Sequence, residues 1–283
     1  MKINLFKSIF IYCLLATSQS NAQTLKVMTY NIRLDIASDG ENAWSQRKDF
    51  FCSQIQFYEP NIMGVQEALP NQIQDLATNL SAYEHIGIGR EGEGKGEASA
   101  IFYLKKRFKV SNNQTFWLSD TPDQISKGWD ASYIRVCTYA LFYDKKMKKN
   151  FWVFNTHLDN NGVTARLKGI DLILKKIQAV NVKKYPVILM GDFNTEPQTE
   201  LLVNLKKEMA DTRDVSEEKP FGPSGSFNGF KFSEPVTRLI DYIFVDKQSA
   251  FKVKKYAILS DSQNLKYPSD HLPVYVELKH KDK

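Results

Sequence analysis

The chain has 283 residues, of which 42% are hydrophobic and 12% aromatic, and its 38 basic and 32 acidic side chains leave a net charge of +6. This composition excludes a coiled coil, a collagen and a disordered chain, and the small charge excess argues against a dedicated polycation of the histone kind. A mildly basic protein is compatible with an anionic substrate without demonstrating one.

The first 22 residues have the pattern of a secretory signal peptide. Two lysines precede an apolar run from Ile9 to Ala16, and the segment ends in the small-x-small pattern Ser20-Asn21-Ala22. A membrane anchor is the alternative, but the apolar run is far shorter than the roughly 20 residues that a spanning helix needs. We therefore expect residues 1–22 to be removed on export, residues 23–283 to form one domain, and the product to be periplasmic or secreted.

Removal of the signal peptide would leave two of the three cysteines, Cys52 and Cys137. In an oxidising compartment the two could form a disulfide. Cys52 lies in a predicted helix and Cys137 in a predicted strand, so we expect two buried thiols. Neither cysteine has the spacing to a histidine that is typical of a zinc site.

From Thr24 onward, short β-branched and aromatic runs alternate with a few helical segments. The predicted strands are Leu25–Tyr30, Ile62–Gln66, Tyr83–Gly89, Ser99–Leu104, Val110–Leu118, Val136–Tyr143, Phe151–Thr156, Val187–Met190, Tyr242–Val245, Phe251–Leu259 and Val274–Leu278. The predicted helices are Trp44–Tyr58, Asn71–Leu80, Val163–Val180 and Thr199–Glu208, and the third has a clear apolar stripe at helical spacing. Many strands and few helices favour two packed sheets with helices outside, an α+β sandwich.

Two glycine-rich segments interrupt this pattern. Arg90–Gly96 lacks the strand-to-helix context and the Lys-Ser/Thr pair of a P-loop, so we interpret it as a flexible hairpin tip. Phe221–Phe230 is a long loop, and loops of that length in compact domains are often functional.

Polar residues lie where several apolar strands begin or end. For any one of these residues, a strand that simply leaves the core for solvent is as good an explanation as a functional site. If the strands that end near Asn31, Glu67, His157 and Asp192 run antiparallel to those that begin with Asp241 and Asp270, however, the whole group shares one edge of the sandwich. The sequence then predicts a site at that edge, made of Asn31, Glu67, His157, Asp192, Asn194, Asp241, Asp270 and His271.

The predicted hairpin from Val136 to Thr156 separates this site from a cluster of lysines. Its turn contains Lys145, Lys146, Lys148 and Lys149, and its open end brings Arg135 beside His157. The lysines resemble a nucleic-acid footprint, but along a strand they lie roughly 20 Å from His157 at about 3.3 Å per residue. We therefore interpret them as a solvated turn.

Carboxylate and amide oxygens are ligands of hard divalent cations, and Mg²⁺ takes one or two protein carboxylates. Glu67 is the principal candidate ligand, with Asn31 in support. Hydrolysis of a phosphate ester by water further requires a base or water-orienting carboxylate. Asp192 and Asn194 are the candidates for orienting the water and the substrate.

The same chemistry requires hydrogen-bond donors for the phosphoryl oxygens. His157 and His271 are candidates, and Arg135 would add a fork of donors to the phosphate. Either Asp270 or Asp241 would fix the tautomer of an imidazole and favour its charged form.

Six motifs, in this order, resemble the signature of the endonuclease/exonuclease/phosphatase superfamily, which includes DNase I. They are MTYNIR (Met28–Arg33), QE (Gln66-Glu67), NTHLD (Asn155–Asp159), GDFN (Gly191–Asn194), RLIDYIFV (Arg238–Val245) and SDHLPV (Ser269–Val274). Each motif alone is weak, but the ordered set is specific and extends from Thr24 to about Leu278. The resemblance implies a four-layer α/β/β/α sandwich of two mixed, mainly antiparallel sheets, with the site at one end. It also implies Mg²⁺, or Mn²⁺, as the cofactor, and we expect a monomer.

The resemblance also implies a role for each site residue. Asn31, Glu67 and Asp270 bind metal, Asp192 activates water with Asn194 positioning it, His157 and His271 bind phosphate, Asp270 orients a histidine, and Asp241 lies near metal and imidazole. The segment Gly128–Tyr139 departs from the abasic-site nucleases, in which a catalytic tyrosine is expected here. Tyr133 is one candidate for that position and Arg135 the better one. In this segment the chain is more similar to a group of exported bacterial members of the superfamily.

The leading hypothesis is an exported Mg²⁺-dependent phosphoesterase that hydrolyses a phosphodiester or phosphomonoester of a small sugar, lipid or nucleotide by direct attack of water. A secreted endo- or exonuclease acting on DNA or RNA is the alternative, although the sequence has no continuous basic stripe for it. A catalytically silent binding protein with the same fold would be expected to have lost Glu67, Asp192 or one of the histidines, and all of these are present. A glycosidase is disfavoured by the histidines and asparagines that accompany the carboxylates.

Overall fold

Two six-stranded sheets form the centre of the protein in a computed structural model that describes residues 24–248 and 250–280. The predicted signal peptide lies outside these residues. The first sheet contains β1 (Thr24–Asn31), β2 (Ile62–Gln66), β3 (Tyr83–Ile86), β4 (Ile101–Leu104), β11 (Phe251–Ile258) and β12 (Val274–His280). The second contains β5 (Phe108–Trp117), β6 (Val136–Asp144), β7 (Lys149–His157), β8 (Val187–Asp192), β9 (Met209–Asp211) and β10 (Asp241–Asp246).

Within the described residues, four α-helices cover the outer faces of the two sheets: α1 (Trp44–Tyr58), α2 (Pro70–Asn79), α3 (Val163–Val180) and α4 (Glu200–Glu208). Apolar residues of α1 and α2 pack with Met28 and Tyr30 on the first sheet. Those of α3 and α4 join the larger core that also fills the space between the sheets. This arrangement confirms the expected four-layer sandwich.

The strand directions bring one set of strand ends together. The strand orders are β11-β12-β1-β2-β4-β3 and β5-β6-β7-β8-β10-β9. β1 is parallel to β2 and antiparallel to β12, while β8 is parallel to β7 and antiparallel to β10. The ends of β1, β2, β7 and β8 therefore share an edge with the beginnings of β10 and β12, as the sequence predicted.

Several boundaries differ from the predicted ones. β3 ends at Ile86 rather than Gly89, because Gly87 turns with a φ of +114° that suits glycine. β12 begins at Val274, so the Asp270-His271 pair precedes the strand instead of opening it. The backbone of His271 and Leu272 pairs with the loop at Ser226 and Phe227. β9 and a 3-10 segment at Ala37–Asn42 were not predicted, because neither is long enough to show a hydrophobic period.

Cys52 and Cys137 are both buried and unpaired, which confirms the expected thiols. Among residues 24–248 and 250–280, none of the helices combines the length and apolar character needed to cross a membrane.

Candidate active site

A cavity of about 630 Å³ at the shared edge of the two sheets is lined by five of the eight residues predicted at that edge, Glu67, Asp192, Asn194, Asp270 and His271. The other three, Asn31, His157 and Asp241, are buried and hydrogen-bonded to residues of that lining. The walls of the cavity include Arg33, Glu67, Arg90, Glu97, Tyr133, Arg135, Asn160, Asp192, Asn194, Phe227, Arg238, Asp270 and His271. A second cavity, of about 650 Å³, opens at the opposite end, where none of the predicted site residues lies. The two cavities are similar in volume, but the second contains none of the predicted site residues. The first cavity is therefore the candidate active site.

Asn31 connects the two sheets at this site through hydrogen bonds. Its Nδ2 atom donates to Oε1 of Glu67 at 3.0 Å and to Oδ2 of Asp192 at 2.9 Å. Asn31 ends β1 in the first sheet and Asp192 ends β8 in the second. One amide group therefore fixes the relative position of two carboxylates that belong to different layers.

Glu67 follows β2 directly and has a left-handed backbone with a φ of +63°. Its Oε2 atom accepts a hydrogen bond from the backbone N–H of Leu34 at 3.0 Å. A non-glycine residue in this region costs on the order of 1 kcal/mol or more and persists where its surroundings impose it. The strained backbone turns the carboxylate of Glu67 into the cavity, which marks it as a functional candidate.

His271 and Asp241 form a buried pair. The Nδ1 atom of His271 lies 2.8 Å from Oδ2 of Asp241, which also accepts a hydrogen bond from Oγ of Ser226 at 2.6 Å. Burial alone would lower the pKa of His271, but the charge and hydrogen bond of Asp241, together with Asp192 and Asp270, raise the pKa to about 10. His271 is therefore a cationic hydrogen-bond donor at neutral pH.

Asp241, rather than Asp270, thus orients the imidazole, which corrects the role that the resemblance implied for Asp270. The carboxylate of Asp270 lies 4.0 Å from Nε of Arg33. Burial raises the pKa of Asp270, and the negative charge of Glu67 adds to that effect. Its position therefore fits metal binding, the other expected role, better than histidine orientation.

His157 is neutral although it lies near a carboxylate. Burial, reinforced by the charge of Arg135, lowers its pKa well below the ordinary value. Its Nε2 atom is 3.0 Å from Nδ2 of Asn194 and 3.4 Å from Oδ2 of Asp192. The contact with Asp192 is therefore not an ion pair, and a donating Asn194 amide would leave the ring proton of His157 on Nδ1.

Asp192 lies at the centre of the cluster. Its Oδ1 atom accepts a hydrogen bond from the backbone N–H of Asn194 at 2.9 Å, and its Oδ2 atom lies 3.8 Å from Nε2 of His271. Burial raises the pKa of Asp192 to about 7, and the negative charge of Asp241 contributes to the rise. A carboxylate with this pKa can both hold and release a proton near neutral pH.

The donor set fits a divalent cation. Oδ1 of Asp241 is buried and has no hydrogen-bond partner within the described part of the chain. Ligand atoms of Asp192, Asp241 and His271 lie within 4.8 Å of one another. Within that cluster, His271 is already bonded to Asp241. Beside it, Asn31 bonds to Glu67 and the charge of Glu67 acts on Asp270, so these three residues offer the oxygen ligands that a hard cation prefers.

Two arginines and a tyrosine form one wall of the cavity. The guanidinium carbons of Arg90 and Arg135 lie 5.2 Å and 5.5 Å from the ring centroid of Tyr133, which is 49% exposed. Arg90 also pairs with Glu97 at 2.8 Å, and Arg135 approaches Asp159 at 3.5 Å. We call Arg90, Tyr133 and Arg135 the arginine–tyrosine wall.

Arg90 and Glu97 flank the glycine-rich segment that we had interpreted as a hairpin tip. The segment is folded against the site because Nε1 of Trp117 donates to the carbonyl of Arg90 at 2.7 Å. No sequence pattern indicates this contact, because a tryptophan at a strand end predicts core packing. The loop Phe221–Phe230 does reach the site, as its length suggested, through Ser226 and through Phe227, whose ring contacts that of His271.

Asn155 is another residue that the sequence analysis left without a role. Its Nδ2 atom donates to the carbonyls of Val65 and Ala100 at 2.9 and 2.8 Å, and its Oδ1 atom accepts from Gln66 at 2.7 Å. The bonds run from β7 in the second sheet to backbone and side chain of the first. The approach is possible because a Cβ atom at Gly64 would lie 2.6 Å from Oδ1 of Asn155. The sequence signal for this cross-sheet role is the presence of an asparagine within the otherwise apolar strand FWVFNT.

A family model described as the Endonuclease/Exonuclease/phosphatase family matches residues 28–271. A solved structure of a mannosyl-6-phosphatase from Bacteroides thetaiotaomicron is 35% identical, with a TM-score of 0.85, over 90% of this chain and 99% of that one. A second structure from the same organism, described as an endonuclease/exonuclease/phosphatase family protein, is 34% identical, with a TM-score of 0.85, over 90% and 97% of the two chains.

A probable RNA exonuclease from Saccharomyces cerevisiae is 29% identical over 206 residues, which are 65% of this chain and 40% of that protein. The chain thus spans less than half the length of this curated relative. The similarity to the two bacterial structures extends over nearly their whole length.

Proposed function

Because the chain belongs to the endonuclease/exonuclease/phosphatase family, whose members are phosphoric ester hydrolases, we propose that it is an exported, Mg²⁺-dependent phosphomonoesterase for small sugar phosphates. The observation that carries this proposal is the distribution of positive charge. The candidate active site is lined by four arginines and by the cationic His271, and no lysine lines it among the described residues. Arginine's planar fork suits the recognition of a single phosphate group.

Several side chains are suited to hold that phosphate. His271 carries its proton at neutral pH and can donate from Nε2 to a phosphoryl oxygen, because Nδ1 is bonded to Asp241. The guanidinium of Arg135 would add donors, whereas the two Nδ2 hydrogens of Asn194 are directed at Nε2 of His157 and the carbonyl of Leu158. His157, held neutral by burial, would position Asn194 and a phosphoryl oxygen without adding charge.

Glu67, Asn31 and Asp270 are the residues that would hold Mg²⁺ or Mn²⁺. When bound, such an ion neutralises charge on the phosphate and polarises the phosphorus–oxygen bond. Asp192 is the proposed base: it would take a proton from the attacking water, and its pKa of about 7 suits that task. Attack of water on phosphorus breaks the bond to the sugar oxygen, which takes up a proton and leaves as an alcohol, while phosphate remains.

The outer part of the cavity supports a sugar as the leaving group. Tyr133 and Phe227 offer aromatic rings, and the exposed Asn160 adds a side-chain amide to the same lining. Aromatic faces and side-chain amides bind the apolar faces and hydroxyls of sugars in a pocket of this size. The 35% identity to a mannosyl-6-phosphatase over 90% of the chain supports the same class of substrate.

An RNA exonuclease is the second candidate. The exposed ring of Tyr133 favours it, because nucleobases stack on such rings. The lysines that would follow successive phosphates lie instead at the opposite end of the sheet, in the turn between β6 and β7. We therefore rank the sugar phosphatase first.

Export and oligomeric state belong to the same proposal. We propose that residues 1–22 direct export to the periplasm or beyond, and that residues 23–283 act as a monomer. Amino-terminal sequencing of the protein recovered from cell fractions would test the first point. Size-exclusion chromatography with light scattering would test the second.

The decisive experiment is a substrate panel with residues 23–283. Mannose 6-phosphate, a chromogenic phosphomonoester, a chromogenic phosphodiester and a short RNA are each incubated with Mg²⁺, with Mn²⁺ or with EDTA. We expect phosphate release from the sugar phosphate and the chromogenic monoester, and loss of activity in EDTA. Preferential cleavage of RNA would favour the second candidate, and activity that persists in EDTA would contradict the proposed mechanism.

A further inference from the structure

The edge of the second sheet opposite the candidate active site carries nine exposed lysines, which we call the lysine edge. They lie in the turn before β5, in the β6–β7 turn, in the segment before β8 and after β10: Lys105, Lys106, Lys145, Lys146, Lys148, Lys149, Lys183, Lys184 and Lys247. None of them contributes to the proposed reaction.

Backbone contacts make the lysine edge continuous. The N–H of Lys145 donates to the carbonyl of Arg107 at 3.0 Å, which joins the first two turns. The N–H of Trp152 donates to the carbonyl of Pro186 at 2.8 Å, which joins the β6–β7 hairpin to the segment before β8. The N–H of Val187 donates to Oδ1 of Asp246 at 2.7 Å, which brings the end of β10 alongside.

The lysines of this edge form no ion pair with a carboxylate within residues 24–248 and 250–280, where the ion pairs of lysine involve other lysines. Asp144, a carboxylate at this end, is buried and paired with Arg107 at 2.6 Å. Nine charges also exceed the net charge of +6 of the whole chain, so the remainder carries a net negative charge.

The two most exposed large apolar side chains among the described residues lie at the same end of the sandwich as the lysine edge, at the C-terminal ends of the outer helices α3 and α1. Val182 is 81% exposed and directly precedes Lys183, while Phe57 is 80% exposed at the last turn of α1. Glu59, just beyond that helix, lines the cavity of about 650 Å³ together with Lys146. Apolar side chains among lysines suit a surface with anionic headgroups above hydrocarbon, whereas a polysaccharide or nucleic acid offers nothing to bury them.

We propose that the lysine edge binds the surface of an anionic lipid bilayer, with Val182 and Phe57 entering the interfacial region. Each lysine near such a surface strengthens binding by roughly fivefold, and the attraction weakens as salt shortens its range. Along β7, eight residue steps separate Lys149 at this edge from His157 at the site, or about 26 Å at 3.3 Å per residue. The bound protein therefore holds its candidate active site away from the membrane and open to soluble substrates.

Co-sedimentation of residues 23–283 with vesicles tests the proposal. Vesicles of phosphatidylcholine, with or without phosphatidylglycerol, are used at low and at high NaCl. We expect binding to phosphatidylglycerol vesicles at low salt, weak binding at high salt, and none to phosphatidylcholine alone. Equal binding to both lipids, or binding to neither, would overturn the proposal, as would binding to heparin or polyphosphate without binding to vesicles.

Two quadruple variants of equal net charge locate the surface. Changing Lys145, Lys146, Lys148 and Lys149 to Gln removes part of the lysine edge and is expected to weaken vesicle binding at least about tenfold. The matched control changes Lys95, Lys168, Lys231 and Lys266 to Gln, at a distance from the edge, and should bind nearly as the wild type does. Unchanged hydrolysis of a chromogenic phosphomonoester would show that both variants fold. Equal weakening in the two variants would assign the effect to net charge and refute the surface.

Discussion

His271 and Asp241 form a buried pair, 2.8 Å apart, that connects the segment before β12 in the first sheet with the start of β10 in the second. The pair makes a clear prediction about pH. The pKa of His271 is raised to about 10, so its proton stabilises the folded metal-free protein fully below pH about 6.5. This contribution is lost as the pH rises through about 10.

Asp241→Asn should lower the pKa of His271, because burial remains while the adjacent negative charge, the largest of those that raise this pKa, is removed. Proton NMR of the His271 ring in metal-free protein measures this directly. Asp214→Asn, at an exposed carboxylate, is the control and should leave the titration unchanged. A titration of His271 that is the same in Asp241→Asn and wild type would refute the role given to Asp241.

Asp192→Asn should reduce kcat by about 10² to 10⁴ with little change in KM, because the amide cannot accept the proton of the attacking water. Circular dichroism and thermal denaturation should show a folded protein. Unfolding of the variant would instead mean that Asp192 serves mainly to hold β8 against Asn31.

Glu67→Gln should weaken the apparent affinity for Mg²⁺ by about 10- to 100-fold, since an amide is a poorer ligand for a hard cation than a carboxylate. The measurement is activity as a function of Mg²⁺ concentration, with calorimetric titration of Mg²⁺ as a second readout. Activity of the variant should recover at high Mg²⁺. Glu97→Gln, also in the cavity but paired with Arg90, is the comparison and should change the Mg²⁺ dependence less.

Asn155→Ala should destabilise the protein by about 2 to 4 kcal/mol, because the carbonyls of Val65 and Ala100 and the amide of Gln66 would each lose a buried hydrogen bond. Urea denaturation measures the free energy of unfolding. Asn150→Ala, at the other end of β7, is the matched control and should cost much less. Similar losses for both variants would show that the cross-sheet bonds have no special weight.

Tyr133→Ala should raise KM for mannose 6-phosphate about tenfold while leaving kcat for a small chromogenic phosphomonoester nearly unchanged, because the ring lies in the outer part of the cavity. Tyr133→Phe keeps the ring face and should behave as the wild type does. If Tyr133→Phe is as impaired as Tyr133→Ala, the hydroxyl rather than the ring face contacts the substrate.

The edge on which the site lies was predictable because strand direction follows from short connections and alternating hydrophobicity. A hairpin as tight as that between β6 and β7 forces His157 and Arg135 to one end, whatever the rest of the chain does. Two packed sheets with helices outside followed from the many strands and few helices. The order of the site motifs supplied the family resemblance, which implied the four layers.

The partners of each side chain were not predictable in the same way. Asp241 and Asp270 stand in similar sequence contexts, and only the packing of β10 against β12 decides which carboxylate reaches the imidazole. Arg90 enters the site because glycines let its loop fold back on Trp117, a contact between residues 27 positions apart. No local pattern of hydrophobicity encodes such a contact.

Asn31 has a further consequence, because its amide bonds carboxylates that belong to opposite sheets. The candidate active site lies across the seam of the sandwich, and separating the two layers dismantles it. A ligand that binds there therefore stabilises the closed sandwich, and saturating phosphate or Mg²⁺ should raise the free energy of unfolding. Amide hydrogen exchange of β1 and β8 should slow together when the ligand is added, as two halves of one cooperative unit.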